Sequence, residues 1–472
     1  MKAEAIDTGG AGAAGAASAH GPGVAGEAPV AAAPGAGTIA GASPRAWYTV
    51  WVLAVISMLA QIDRGVMSLL VQPIKRDLHL TDTQVSVLIG FAFTFFYVAV
   101  GPPMSRVGDR SARKKVIAGG LAVWSVATAL CGLAQNFWSL FFSRALVGGG
   151  ESVNGPASLS MIADAVPRER LPRAFAILNA GVMGGMALSL VVGGVLIGLL
   201  ANVKPIPLPF GGTIRNWQLV FMAVGIPGLI VSALVMFTVP EPVRRGGKRP
   251  GGYKLREVLA FIVEQRAMHF PLLAGILLMS IQSYGLGAWN AAFYERTYGW
   301  GPAKTGPLIG TTTLVASLFG LWLGTKLAEW LGRRHDDANL RMLMIAQLTA
   351  LPFGIIGPLM PSPWLALACT CAAGALGVMG GPSYNAAIQI ATPNEMRGQI
   401  NAMYLFIISA LGGALGPTLV ALVTDNIATS ESQLRYVLVG VRLAIGPIAV
   451  LLIWLAVKPY GQLYRTKLDA GE

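Results

Sequence analysis

Four ionisable residues lie inside long apolar stretches of the sequence, where a charge is costly. Asp63 and Arg64 are adjacent in one stretch, and Arg144 and Glu151 lie seven residues apart in another. A charge at the centre of a lipid bilayer costs about 2.5–3.5 kcal/mol by insertion measurements. Such residues persist where they face a partner or a water-filled cavity, so we expect these four to form a functional site.

Helix geometry restricts how the four charges can pair. Neighbouring residues on a helix point about 100° apart, so Asp63 and Arg64 each need a partner on another helix. Arg144 and Glu151 are two turns apart and share a face, with Gly148 between them leaving room for close approach.

The apolar stretches around these residues have the length of membrane-spanning helices. The chain has 472 residues, of which 54% are hydrophobic and 12% charged, about half the charged share of soluble domains. About 20 apolar residues cross the ~30 Å hydrocarbon core, and only helices or closed barrels satisfy their backbone there. Twelve helical spans are predicted, at 47–72, 84–104, 114–134, 137–163, 173–200, 217–239, 268–294, 303–331, 340–360, 363–391, 398–424 and 434–457.

These spans divide the chain into two six-helix bundles, predicted at 45–239 and 268–457. The segment 1–44, rich in Ala and Gly, is predicted to be a disordered cytoplasmic tail because it has few large side chains to bury. Residues 240–267 form a polar linker, within which 254–266 has the pattern of an amphipathic helix. The remaining residues, 458–472, are predicted to be a second cytoplasmic tail.

The distribution of basic residues supports an even number of spans. With the N-terminus in the cytoplasm, 24 of the 35 Lys and Arg residues fall on the cytoplasmic side and 7 on the other. This bias predicts that both termini are cytoplasmic. It also accounts for the net charge of +13 without a nucleic-acid partner.

The two halves carry a related sequence. PRERLPRAFA begins at Pro167 and PNEMRGQINA begins at Pro393, so a shift of 226 residues superimposes them. Each leads into a glycine-rich span. A parallel repeat of this kind places a substrate site between the halves, near the middle of the membrane.

Motifs for other chemistry are absent from the sequence. It contains no G-x-x-x-x-G-K-[ST] phosphate loop and no H-E-x-x-H, and the C-x-C pair Cys369 and Cys371 has no neighbouring histidine. We expect no cofactor, no metal site and no direct use of ATP.

Two motifs resemble those of a known family. The loop after the second span reads SRVGDRSARKK, with Asp109, Arg110 and Arg113, and the fourth span reads RALVGGGESVNGPAS. Both are similar to signature motifs of the major facilitator superfamily, although Ser105 and Ala112 stand where the family often has glycine. The Asp–Arg pair of QIDRGV, the Gly–Glu pair of GGGES and the pattern Trp289, Phe293, Arg296 further resemble its spinster-type branch.

The resemblance implies an all-α major facilitator fold and a transporter rather than an enzyme. It implies that Asp109, Arg110 and Arg113 form a cytoplasmic gate. It also implies that the first and fourth spans are neighbours across the cavity, so we expect Asp63 to pair with Arg144, and Arg64 with Glu151. Polar residues of the seventh and tenth spans are candidate substrate contacts: Tyr284, Trp289, Asn290, Tyr384, Asn385 and Gln389. The alternative for these side chains is hydrogen bonding between helices.

The predicted function is secondary transport of an amphipathic or lipid-like organic molecule by a monomer in the bacterial inner membrane. Burial favours the neutral form of a carboxylate and a nearby arginine favours its charged form, so a change in this balance can couple proton binding to transport. Glu151 or Asp63 is the expected proton acceptor; the alternative is a static ion-pair network. Proton-driven symport of a small organic anion, a polytopic membrane enzyme and a non-transporting sensor remain as other functions.

Overall fold

The computed structural model describes residues 43–207, 212–244, 255–393 and 395–469, without the side chains of Asp109 and of residues 467–469. The predicted tail before residue 43 and most of the predicted linker loop lie outside the described residues. In the first half the α-helices are α1 Pro44–Leu69, α2 Val71–Leu78, α3 Asp82–Ser86, α4 Ala92–Arg110, α5 Arg113–Cys131, α6 Phe137–Glu151, α7 Asn154–Ala165, α8 Leu171–Leu200 and α9 Asn216–Thr238. In the linker and second half they are α10 Leu255–Glu264, α11 Arg266–Tyr298, α12 Pro302–Gly332, α13 Ala338–Leu359, α14 Pro363–Val378, α15 Gly381–Ala391, α16 Arg397–Ile427 and α17 Leu434–Asp469.

Twelve passes follow from these helices, as the sequence predicts. Eleven helical segments within the described residues are long and apolar enough to cross a membrane. The remaining pass is the fourth, which is broken at Ser152 and Val153 into α6 and α7. A π-helical turn, Val87–Phe91, joins α3 to α4 within the second pass. The last helix continues to Asp469, past the predicted end of its span at residue 457.

Local sequence signals set several helix ends. Ser43 precedes Pro44, and its hydroxyl accepts a hydrogen bond from the amide of Ala46, which caps α1. Thr81 and Gln84 form a capping box at the start of α3, each side chain accepting from the other residue's backbone amide. Capping satisfies backbone groups that the helix itself leaves without partners.

The linker contains the amphipathic helix expected there. It spans Leu255–Glu264 and buries Val258 and Ile262. These side chains join an apolar cluster with Leu272 of α11 and Tyr404 of α16. The short helix is therefore attached to the second half.

The fourth and tenth passes are broken at equivalent positions. The fourth breaks after Glu151, and the tenth breaks at Met379 and Gly380, between α14 and α15. The 226-residue shift of the repeat places Ser152 and Val153 on residues 378 and 379, within one residue of that second break. The internal repeat therefore extends to the backbone of the two passes.

The described contacts between the halves lie toward one end of the bundle. We call this end the distal face; the opposite end, where α1 begins and α17 ends, is the terminal face. Near the distal face a Cβ built on Gly90 would lie 2.5 Å from the carbonyl oxygen of Gly413, and one on Gly306 would lie 2.4 Å from that of Leu190. Glycine is required at such points because a side chain would separate the helices.

The described ion pairs between the halves, such as those of Asp82 with Arg296 and of Lys75 with Glu431, lie at the distal face, so we infer that the central cavity opens at the terminal face. On that side the fourth and tenth passes present exposed side chains, Leu159 on α7 and Gln389 on α15. On the distal side the glycine contacts hold α3 and α4 near α16, and α8 near α12. The bundle is closed at the distal face and open at the terminal face.

Substitution of Gly306 by alanine is expected to destabilise this closed arrangement by about 1–3 kcal/mol, because the added methyl group would overlap the backbone of α8. The thermal unfolding midpoint of the detergent-purified protein measures this. Gly184→Ala is the control, since a Cβ there meets nothing within 4 Å. Equal midpoints for the two variants would contradict the close packing.

Candidate functional site

The four buried charges form two crossed pairs. Arg144 Nη1 lies 3.2 Å from Asp63 Oδ2, and the Arg64 guanidinium donates to Glu151 Oε1. Each pair joins the first pass to the fourth. Both pairings are those expected from the family resemblance, which makes the first and fourth spans neighbours.

The pair of Asp63 and Arg144 is sealed inside the first half. Each side chain is 1% exposed. Thr128 of α5 donates a hydrogen bond of 2.9 Å to Asp63 Oδ1. With two donors on its carboxylate and no access to the cavity, this pair fixes the relative positions of three helices.

The pair of Arg64 and Glu151 is only partly enclosed. The side chain of Arg64 is 35% exposed, whereas that of Glu151 is 3% exposed. Glu151 Oε2 is buried and has no hydrogen-bond partner among the described residues. This pair therefore has an accessible cation and a carboxylate oxygen that is free to carry a proton.

An aromatic ring lies between the two arginines. The Phe93 ring centroid is 4.6 Å from Arg64 Cζ and 5.4 Å from Arg144 Cζ. The Tyr97 ring, one turn along α4, is 5.3 Å from Arg64 Cζ. Cations are attracted to the face of an aromatic ring, and this attraction grows when water is excluded.

Phe93 and Tyr97 are absent from the residues predicted from the sequence. They lie in an aromatic stretch, FAFTFFYV, that has no charged residue to mark it. In the sequence, Gly148 is the residue that could have indicated them. A Cβ at Gly148 would lie 2.2 Å from the Phe93 carbonyl oxygen, so glycine is needed where α4 approaches α6. The expected approach of a neighbouring helix to Gly148 is confirmed.

The candidate contacts on the second half are not all at the cavity. Tyr284 is 46% exposed, Gln389 is exposed, and Asn290, Tyr384 and Asn385 are half-buried. Trp289 is fully buried, and its indole donates to the Pro417 carbonyl oxygen at 3.0 Å. In this structure the indole joins α11 to α16, and its role as a substrate contact stays a prediction.

The residues of the predicted cytoplasmic gate lie at the end of α4 and the start of α5. Arg110 is exposed, and the side chain of Asp109 lies outside the described residues. Arg113 is buried and binds Asp164 and Glu241, at 2.5 and 3.0 Å. Both partners precede the second half, so a gate across the halves stays a prediction.

A second charged cluster closes the distal face between the halves. Arg296, at the end of α11, donates to both carboxylate oxygens of Asp82 at 2.6 and 2.8 Å, and Lys75 lies 2.7 Å from the same carboxylate. Lys75 also lies 3.1 Å from Glu431 of the second half. Sequence reasoning noted Arg296 only as part of a pattern, since its partner is more than 200 residues away.

The chain was compared with protein families and with known relatives. The family model described as Major Facilitator Superfamily matches residues 53–417. The chain belongs to the major facilitator superfamily. It is therefore a transporter in an integral membrane fold, and its relatives and fold are not those of enzymes.

Curated relatives of this superfamily member include a pump and spinster proteins. It is 28% identical over 390 residues to an MFS-type efflux pump of Mycolicibacterium smegmatis, covering 81% of this chain and 85% of the relative. It is 24% identical over 409 residues to protein spinster homolog 3 of Danio rerio, covering 81% and 78%.

Solved structures show the same fold. A bacterial homologue of the human lysosomal transporter Spinster, crystallised in an inward-facing and unoccupied conformation, superimposes with a TM-score of 0.74 at 24% identity. The match covers 91% of this chain and 99% of that one. The expected resemblance to the spinster-type branch and the twelve-helix fold are confirmed.

Asp63→Asn is expected to lower the stability of this transporter by about 3–5 kcal/mol, because it leaves Arg144 charged, buried and without a counter-ion. Glu151→Gln is expected to cost less, since the freed Arg64 reaches the cavity. Thermal unfolding of the two variants in one detergent gives the comparison. A larger loss for Glu151→Gln would contradict the assignment of the sealed pair.

Proposed function

We propose that this transporter couples the movement of protons to that of an amphipathic or lipid-like organic molecule, by alternating access of the central cavity. The observation that carries the proposal is the pair of Arg64 and Glu151, which combines a cation exposed to the cavity with a buried carboxylate. Glu151 is the proposed proton carrier. Asp63 is the less suitable acceptor because its carboxylate is sealed by Thr128 and Arg144.

Protonation of Glu151 would alter the charge that the cavity presents. In the charged state its carboxylate neutralises Arg64. A proton on Oε2, which has no other described partner, removes that neutralisation and leaves the guanidinium free to bind an acidic group of the substrate. Release of the substrate restores the pair and favours loss of the proton. The two ligands are thereby coupled through one arginine.

Apolar surface supports an amphipathic substrate. A groove of about 670 Å³ runs between α12 and α14. Its lining is almost entirely apolar and includes Val315, Phe319, Leu323 and Leu376. The resemblance of the sequence to the spinster-type branch implies the same substrate class. A small organic anion is the second candidate, which the exposed guanidinium of Arg64 favours by itself.

We further propose that the terminal face is cytoplasmic, because the predicted loops on that side carry most of the lysines and arginines. In a bacterial inner membrane the structure then corresponds to an inward-open monomer. Asp109, Arg110 and Arg113 would contribute to closing the terminal face in the opposite state. Tyr284, Asn290, Tyr384, Asn385 and Gln389 remain candidate substrate contacts.

Glu151→Gln is expected to reduce proton-gradient-driven flux at least tenfold, because the amide cannot take up and release the proton. Flux is measured in proteoliposomes with an imposed pH gradient, using labelled lysophospholipids, fatty acids and small dicarboxylates as separate substrates. Glu329→Gln is the matched control, since Glu329 is an exposed carboxylate in α12 that pairs only with Lys326 among the described residues.

Each result of this assay bears on one part of the proposal. Gradient-driven flux retained in Glu151→Gln would overturn the role of Glu151 as proton carrier. Flux of dicarboxylates but of no lipid would replace the amphipathic substrate by the small anion. Absence of flux in the variant while binding persists would support coupling at this residue.

The distal cluster is expected to stabilise the state seen here. Arg296→Gln removes the two guanidinium hydrogen bonds to Asp82, leaving the contact with Lys75, and is expected to raise the population of the distal-open state several-fold. Electron–electron distances between spin labels at the exposed residues Asn202 and Lys304 measure this opening. Arg215→Gln is the control, because Arg215 and Asp77 form a pair of 2.8 Å within the first half. Identical distance distributions for both variants would contradict this role.

A further inference from the structure

Arg442 is a cationic residue of the last pass that does not belong to the site formed by Asp63, Arg64, Arg144 and Glu151. It lies on α17 against Gly354 of α13, on the side of the second half away from the first pass. None of the hydrogen bonds or ion pairs seen among the described residues includes it. A guanidinium has five N–H donors and stays charged in proteins, so a half-buried one within a membrane span requires an acceptor.

Arg435 shows how a similar residue is satisfied. It lies two turns earlier on α17, on the same helix face, and donates to the carbonyl oxygens of Pro358 and Met360 at 2.8 and 3.1 Å. Those carbonyls are free because α13 ends at Leu359. Arg442 lies against Gly354, five residues before the end of α13. Pro358 cannot donate to the Gly354 carbonyl oxygen, but no hydrogen bond from Arg442 to that oxygen is seen among the described residues.

The guanidinium of Arg442 lies in a space beside Gly354 that any larger side chain would fill. We call this space the seat. A Cβ built on Gly354 would lie 1.6 Å from Nη1 and 2.3 Å from Cζ of Arg442. Four residues further along α17, a Cβ on Gly446 would lie 2.3 Å from Leu351 Cδ2 of α13. The two helices are therefore closely packed there, and Gly354 determines where the charged group can lie.

The seat is near the level of lipid headgroups at the distal face. Gly354 precedes the end of α13 by five residues, a distance of about 7.5 Å along the axis. Arg442 lies about 12 Å from the start of α17, and helical side chains lean toward the helix N-terminus, here the distal face. Flanking side chains are large, apolar and exposed, among them Phe353, Ile356 and Leu443. Such a surface faces lipid in a membrane protein.

We propose that Arg442, seated on Gly354, binds a phosphodiester oxyanion, and that the anion is the headgroup of an anionic phospholipid in the leaflet at the distal face. The lipid is favoured over a free anion because the surrounding surface is apolar and the seat lies at headgroup depth. This site does not depend on the proposed transport function. It supplies the counter-ion that the described part of the chain lacks.

The test measures how lipid changes the stability of the detergent-purified full chain. Phosphatidylglycerol, phosphatidylcholine with the same acyl chains, and inorganic phosphate are added separately to wild type, Arg442→Gln, Gly354→Ala and Arg435→Gln. We expect phosphatidylglycerol to raise the unfolding midpoint of wild type and Arg435→Gln by several degrees more than phosphatidylcholine does. In Arg442→Gln and Gly354→Ala this difference is expected to fall by at least half.

Gly354→Ala keeps the charge and removes the seat, so it tests the site even if Arg442→Gln fails to fold. Native mass spectrometry should show one fewer retained phosphatidylglycerol in both variants. An equal lipid effect in wild type and Gly354→Ala would overturn the site. Stabilisation of wild type by inorganic phosphate alone, without a preference for phosphatidylglycerol, would overturn the lipid as its source.

Discussion

The energetic cost of charge in a membrane constrains the first half of this transporter more than any other interaction. Four ionised groups lie within two passes, and each is neutralised by a partner on the other pass. Removing one partner of a buried pair leaves an uncompensated charge, which is far more costly than the pair itself. Because Asp63 and Arg64 are adjacent on one helix, pairing both fixes the rotation and the depth of α1 against α6.

The two ion pairs differ in their surroundings. This difference assigns a structural role to one pair and leaves the other available to the proposed mechanism. Asp63 and Arg144 are enclosed by α5, whereas Arg64 borders the cavity opposite the second half. The Phe93 ring lies within cation–π distance of both guanidinium groups. The accessible pair of Arg64 and Glu151 is thus adjacent to the pair of Asp63 and Arg144, which holds the helices together. A change of charge at the first pair does not have to break the second. Under the proton coupling proposed above, this separation allows Glu151 to change its charge without unfolding the bundle.

At the distal face, glycine contacts and ion pairs act together to close the cavity. Gly90, Gly194 and Gly306 bring the backbones of opposite halves within reach of one another. Asp82, Lys75, Arg296 and Glu431 then form a charged cluster across the same boundary. Close backbone approach supplies packing that weakens abruptly when the helices separate. The desolvation of a buried ion pair offsets much of its Coulombic attraction, so hydrating both partners on opening costs little. The combination therefore favours one closed state while remaining reversible.

Periodicity, charge and motif spacing determined the twelve passes and the division into halves, because each depends on local helix geometry or on the cost of burying charge. The crossed pairing followed from the family resemblance, which makes the first and fourth passes neighbours. The π-helical turn, the involvement of Phe93 and the burial of Trp289 were decided only by tertiary structure. So were the partners of Arg296 and the seat of Arg442 on Gly354. Each of these depends on which residues distant in sequence face one another across packed helices. A sequence gives the faces of a helix but not the rotation and offset at which two helices meet, and packing of the whole bundle sets those.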